Sequence, residues 1–98
     1  MRVIKKATLV AFFSEHKDAK TALEVWYDSV EYAQWDNFAG IKKTFKTADY
    51  VGNKRVVFNI RGNKYRLVAL VLFKIKKVYI RFIGTHKEYD EIKDIENI

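Results

Sequence analysis

The stretch Val56 to Asp90, VVFNIRGNKYRLVALVLFKIKKVYIRFIGTHKEYD, contains three apolar runs. Each has strand length and is rich in Val, Ile, Phe and Tyr. Gly62-Asn63 separates the first two runs, a two-residue hairpin signal because both residues tolerate positive φ. Lys74 to Lys77 separates the second and third. No helical crossover fits between runs so close, so the pattern predicts an antiparallel meander. With Gly62-Asn63 and Ile75-Lys76 as the central turn residues, Asn59 faces Arg66, Arg66 faces Thr85, and Phe73 faces Val78. Side chains alternate faces along each strand. One face then carries Val56, Phe58, Ile60, Leu67, Ala69, Val71, Phe73, Val78, Ile80 and Phe82 and is apolar. The other carries Asn59, Arg61, Lys64, Arg66, Tyr79, Arg81 and Thr85, interrupted by Val57, Val68, Leu70 and Ile83.

Upstream the period changes. Met1 to Ile4 reads as an edge strand. From Lys6 to His16, Leu9, Val10, Phe12 and Phe13 recur at helical spacing. Asp18 is a candidate N-cap for a second helix, in which Ala19, Ala22, Leu23, Trp26, Val30 and Ala33 follow the i, i+3, i+4, i+7 pattern. Asp36 is a candidate cap for a short helix over Asn37 to Phe45, and Thr47 to Lys54 reads as a loop. After the meander, Thr85-His86-Lys87-Glu88 matches a capping box, so a helical turn starts at His86. His86 and Tyr89 are then i, i+3 neighbours, and His86 and Asp90 i, i+4 neighbours. These elements predict a single α+β domain over residues 1–98, with two N-terminal helices packed on one face of a small, mainly antiparallel sheet.

Composition narrows the function. The 98 residues include no Cys and only two His, so neither a disulfide framework nor a thiolate metal site is expected. No apolar run is long enough to span a bilayer, and the N-terminal segment has no secretory cleavage pattern. A cytoplasmic protein with no membrane association and no cofactor is expected. Nineteen Lys and Arg against twelve Asp and Glu give a net charge of +7. The basic residues concentrate in the second half, while Glu88 to Ile98 is acidic. A basic sheet half points to a polyanionic partner.

The row Asn59, Arg66, Thr85, with His86 next to it, suits phosphodiester cleavage without a metal. Cutting RNA requires one group to deprotonate the 2′-OH, another to protonate the leaving 5′-oxygen, and fixed positive charge for the phosphorane. Arg66 and Arg81 offer the forked donor geometry that phosphate oxygens accept. His86 is the side-chain type whose charge changes near neutrality, and Tyr89 offers a proton or a stacking face. Asn59, Arg61, Asn63, Lys64 and Lys87 are the candidate RNA contacts around them. Solvated surface positions for His86 and Arg66, and simple packing for Tyr89, are the plainer alternatives. Trp26 and Trp35 read as core or interface, and His16 as a helix-end residue.

The segments Val57-Phe58-Asn59-Ile60, Gly62-Asn63 and Arg66, followed by Tyr79-Ile80-Arg81 and Thr85-His86-Lys87-Glu88-Tyr89-Asp90, resemble the HigB-type toxins of the RelE/ParE superfamily. His16, Ala19, Leu23 and Trp26 are similar too, so the resemblance covers most of the chain. It implies a RelE-like fold and the toxin of a type II toxin–antitoxin pair, an mRNA interferase that cuts mRNA on translating ribosomes and arrests growth. It also implies a HigA-like helix-turn-helix antitoxin as partner. Arg66 matches the family's central-strand Arg, Arg81 the Arg of the last strand, and His86 with Tyr89 the C-terminal His/Tyr cluster. The alternatives are a ParE-like toxin that binds DNA gyrase, and an RNA-binding module without catalysis.

Overall fold

The computed structural model describes residues 1–98 as a five-stranded sheet carrying helices on one face. Strand β1 (Arg2–Ile4) leads to α1 (Lys6–Glu15), a 3-10 turn (Lys17–Ala19), α2 (Lys20–Tyr32) and α3 (Phe38–Thr44). Strands β2 (Asp49–Gly52), β3 (Arg55–Ile60), β4 (Tyr65–Leu72) and β5 (Lys77–Thr85) follow, then α4 (His86–Asp90) and a 3-10 turn (Ile95–Asn97). The sheet order is β1-β5-β4-β3-β2; every pairing is antiparallel except β1 with β5. The α+β, mainly antiparallel architecture is the expected one, and no helix is long and apolar enough to cross a membrane.

The core lies between the helices and one sheet face. Helix α2 turns Leu23, Trp26 and Val30 inward, all within 2% of full burial. The Trp26 and Phe58 rings meet edge-on at 5.4 Å. Beneath them lie Val56, Leu67, Ala69, Val71, Val78 and Ile80. Strand β1 is tied to α2 as well as to β5, because Glu31 Oε2 accepts the Val3 N–H at 2.7 Å. Trp26 Nε1 has no hydrogen-bond partner, so truncating this side chain sacrifices packing alone. Trp26→Ala should therefore lower the unfolding free energy by about 3–5 kcal/mol, a large part of an ordinary domain's stability. Chemical denaturation followed by circular dichroism tests this, and an unmoved midpoint would place the indole outside the energetic core.

Several expected details are corrected. Val10 on α1 is 43% exposed rather than inward. Residues 49–52 form an edge strand instead of continuing a loop, since their backbone pairs with β3. Asn37, not Asp36, caps α3, its side chain accepting from the Gly40 N–H. Asp18 does not cap α2, whose N-cap position is held by Ala19 with no side-chain cap.

The largest correction concerns register. The first hairpin pairs as expected, Asn59 with Arg66 and Val57 with Val68. Its Lys64 N–H bonds the Arg61 carbonyl across Gly62-Asn63. Positive φ falls on Gly62 and Arg61 rather than on Asn63. The second turn closes earlier, with Lys76 N–H bonding the Phe73 carbonyl, so Val71 rather than Phe73 faces Val78. A bulge then leaves Arg81 unpaired between Ile80, opposite Ala69, and Phe82, opposite Val68. An extra residue moves every later side chain to the other face. Ile83 consequently packs on the core in place of Phe82. Arg66 now lies opposite Gly84, with Thr85 opposite Tyr65.

Candidate active site

The second face of the sheet holds three rows: Arg55, Leu70 and Tyr79; Val57, Val68 and Phe82; Asn59, Arg66 and Gly84. In the last row Gly84 contributes no side chain. A Cβ there would come within 2.6 Å of Phe82 Cζ and 2.9 Å of Glu88 Oε1. The chain turns at that point from β5 into α4, and the turn is built by its expected capping box. Thr85 N–H donates to Glu88 Oε1 at 2.8 Å, and Glu88 N–H to Thr85 Oγ1 at 3.1 Å. The Thr85 N–H and then its side chain hold the Glu88 carboxyl below its ordinary range. The His86 N–H bonds the Lys64 carbonyl, fixing α4 against the first hairpin. The capping box thereby aims the His86 and Tyr89 side chains at β4.

Arg66 meets them. Its Nη2 donates to Asn63 Oδ1 at 3.0 Å and lies 3.0 Å from His86 Nε2. Its guanidinium carbon sits 5.0 Å from the Tyr89 ring centroid, a cation–π distance. On its other side, His86 Nδ1 is 2.9 Å from Asp90 Oδ2. A guanidinium only donates, so Nε2 carries the lone pair and Nδ1 the proton, which goes to Asp90. The result is a linear chain Asn63–Arg66–His86–Asp90 with Tyr89 beneath the guanidinium. Arg66 Nε is buried without a partner, a donor the chain itself leaves unsatisfied.

The other expected residues lie around this cluster without joining it. Arg61 Nη1 contacts Asp18 Oδ2 at 2.6 Å, Lys64 Nζ bonds the same oxygen, and Tyr65 Oη donates to Oδ1 at 2.5 Å. Arg81 is exposed at the bulge and donates from Nε to the main-chain oxygen of Ile98 at 3.0 Å. Asn59 is half-buried in the Arg66 row, and Lys87 is exposed on α4. His16 stacks on Phe12 at 4.2 Å as a helix-end residue, apart from the cluster. The largest concavity, about 580 Å³ between α1 and α2, is lined by Leu9, Phe13, Leu23 and Tyr27 and lies away from the Arg66 cluster.

Sequence reasoning passed over two acidic residues. Asp90 shows as the i+4 neighbour of His86, and helical spacing was the signal that could have promoted it. Asp18 resembled a cap, and only the tertiary fold shows that it binds the β3–β4 turn. The Lys64 ammonium, then the Tyr65 hydroxyl, hold its carboxyl down at about 2, against an ordinary 3.8. A depressed carboxyl stabilises the fold fully above its unfolded pKa, and that stabilisation fades as pH falls through the folded one. Asp18→Asn should therefore lower Tm at neutral pH, with the gap to the parent closing between about pH 4 and pH 2. Melting curves across that range check it; a pH-independent gap would mean that Asp18 acts through packing.

A family model for the HigB toxin, described as the RelE-like toxic component of a toxin–antitoxin system, matches residues 19–92. The chain belongs to this family. Relatives agree over nearly the whole chain. The mRNA interferase toxin HigB of Escherichia coli strain K12 is 33% identical over 93 residues, 92% of this chain and 88% of that protein. The mRNA interferase HigB of Escherichia coli O157:H7 gives the same figures. That of Escherichia coli O6:H1 is 24% identical over 94 residues, 94% of this chain and 91% of its own. In this HigB-type toxin the matched region contains the whole Asn63–Arg66–His86–Asp90 chain and Tyr89.

Proposed function

We propose that this HigB-type toxin is an mRNA endoribonuclease that works by attack of the ribose 2′-OH on the adjacent phosphate. The observation that carries the proposal is the Arg66 guanidinium shared between His86 Nε2 and the Tyr89 face. The names of its Escherichia coli relatives support mRNA as the substrate. As substrate enters, its phosphate draws the Arg66 donors off His86, and the fork takes the non-bridging oxygens. His86 Nε2 is then free to accept the 2′-OH proton, while Asp90 holds the ring in the required tautomer. The O2′–P bond forms as the P–O5′ bond breaks, and Tyr89 protonates the leaving oxygen. The products carry a 2′,3′-cyclic phosphate and a 5′-OH. The nucleophile is part of the substrate, so no metal-bound water is required.

Asn59, Asn63 and Lys87 flank the reacting phosphate as RNA contacts, with Arg61 and Lys64 at the hairpin tip and Arg81 further along the strand. The substrate is mRNA on translating ribosomes in the cytoplasm, and a HigA-like helix-turn-helix antitoxin neutralises the toxin. Digestion of one mRNA with and without ribosomes, with ends mapped by primer extension, tests both substrate and context. Cleavage only with ribosomes supports the full proposal. An mRNA left intact in both, while induction damages DNA, would point to a gyrase-directed toxin instead.

A further inference from the structure

Beyond α4, Ile92, Ile95 and Ile98 are half-buried at a three-residue spacing. The segment crosses the second face of the sheet. Asn53 Nδ2 donates to the Glu96 carbonyl at 3.0 Å. Gly52 lets Glu96 approach so closely that a Cβ there would meet its Oε2 at 2.6 Å. The main-chain oxygen of Ile98 accepts from Arg55 Nη2 at 2.7 Å and from Arg81 Nε at 3.0 Å. Those arginines come from β3 and β5, the two strands flanking β4, so this oxygen sits over β4. Below it Val57 and Val68 are 2% and 0% exposed although they lie on the face opposite the main core.

We propose that Arg55 and Arg81 form a second phosphate seat for the RNA strand, occupied in the free protein by the tail Glu91–Ile98. The proposal rests on the reading of this chain as an RNA-cleaving toxin and adds a subsite to it. Two guanidiniums converging on one oxygen is the donor arrangement a phosphate takes. A phosphate offers further anionic oxygens to the same two forks, which a single main-chain oxygen cannot. Arg55 Nε is buried without a partner, and a second phosphate oxygen would satisfy it. The tail imitates the ligand in charge, with Glu91, Asp94 and Glu96 against Lys93 alone.

Position also fits. Arg55 is four residues along β3 from Asn59 of the Arg66 row, about 13 Å at 3.3–3.4 Å per residue. A strand cut at Arg66 would therefore reach the seat with a flanking nucleotide. Once the tail lifts, Val57 and Val68 offer an apolar floor, with Tyr79 and Phe82 beside it for a base to stack on. The tail has one short turn and few hydrogen bonds, the kind of segment that opens locally at low cost.

The test uses the full chain and a nuclease-resistant 2′-O-methyl RNA oligonucleotide, followed by NMR and by binding at several salt concentrations. At saturation the Asn97 amide, bonded to the Asp94 carbonyl, should lose its protection, and the Glu96 to Ile98 signals should move to disordered positions. Arg55→Ala and Arg81→Ala should each flatten the plot of log affinity against log salt by about 0.7. Asn53→Gly removes the bond to Glu96 while keeping the positive φ of 47°, and it should tighten RNA binding. Tail signals unmoved at saturation, or unchanged slopes in both arginine variants, would overturn the seat. Unmodified RNA of the same sequence cleaved by a protein whose tail signals stay in place with the oligonucleotide overturns the seat and leaves the nuclease standing. Tail release by the oligonucleotide, with unmodified RNA of the same sequence left uncut, supports the seat and removes the nuclease.

Discussion

Arg66→Ala should reduce mRNA cleavage by about 10²–10³-fold, the usual effect of removing one donor that stabilises transition-state charge, or about 2.7–4 kcal/mol. The lost side chain links Asn63, His86 and Tyr89. It lies on the sheet face opposite the main core, so the fold should persist and antitoxin binding should survive. Arg66→Lys should recover only part of the rate, because an ammonium is a point charge without the fork that spans two phosphate oxygens. The readout is single-turnover cleavage beside a melting curve, which separates chemistry from folding. Growth arrest on induction should disappear with Arg66→Ala. Wild-type toxicity in that variant would remove Arg66 from the site.

Products provide a second check on the same chemistry. A 5′-phosphate end would mean that water, not the ribose hydroxyl, attacked phosphorus. Protein treated with EDTA should cut as fast as untreated protein where ribosomes, which need Mg²⁺, are absent from the assay.

Local signals carried most of what the sequence disclosed. The helical period of α2 named its buried residues, because Leu23, Trp26 and Val30 face inward whatever the rest of the chain does. The Thr85–Glu88 capping box is equally local, and it alone determines where α4 starts. Gly62-Asn63 set the register of the first hairpin and so placed Asn59 beside Arg66. The bulge at Arg81 has no such local signal. It shows only in the pairing of β5 with β4, where one extra residue exchanged Phe82 for Ile83 at the core. Arg66 and His86 still meet, because α4 folds back over β4 and compensates for the shift. The ion cluster at Asp18 joins residues more than forty positions apart, so chain spacing could not reveal it. The same holds for the tail over Arg55 and Arg81, which in sequence was only an acidic end.

The deepest loss of activity should come from His86→Ala, about 10²–10⁴-fold for the removal of an acid–base group. The capping box uses Thr85 and Glu88, so α4 keeps its start without the imidazole and the effect should be confined to chemistry. His86→Gln refines the test. Its amide oxygen can still accept a hydrogen bond, from Arg66 in the free protein or from the 2′-OH, but it cannot take a proton. A glutamine variant as slow as the alanine variant identifies proton transfer as the role, and one near wild type reduces His86 to a positioning contact. Asp90→Ala should fall between the parent and His86→Ala, because Asp90 only orients the ring through Nδ1. In the His86→Ala background, adding Asp90→Ala should cost nothing further, since there is no ring left to orient. An additive loss in the double variant would assign Asp90 a role of its own on the substrate.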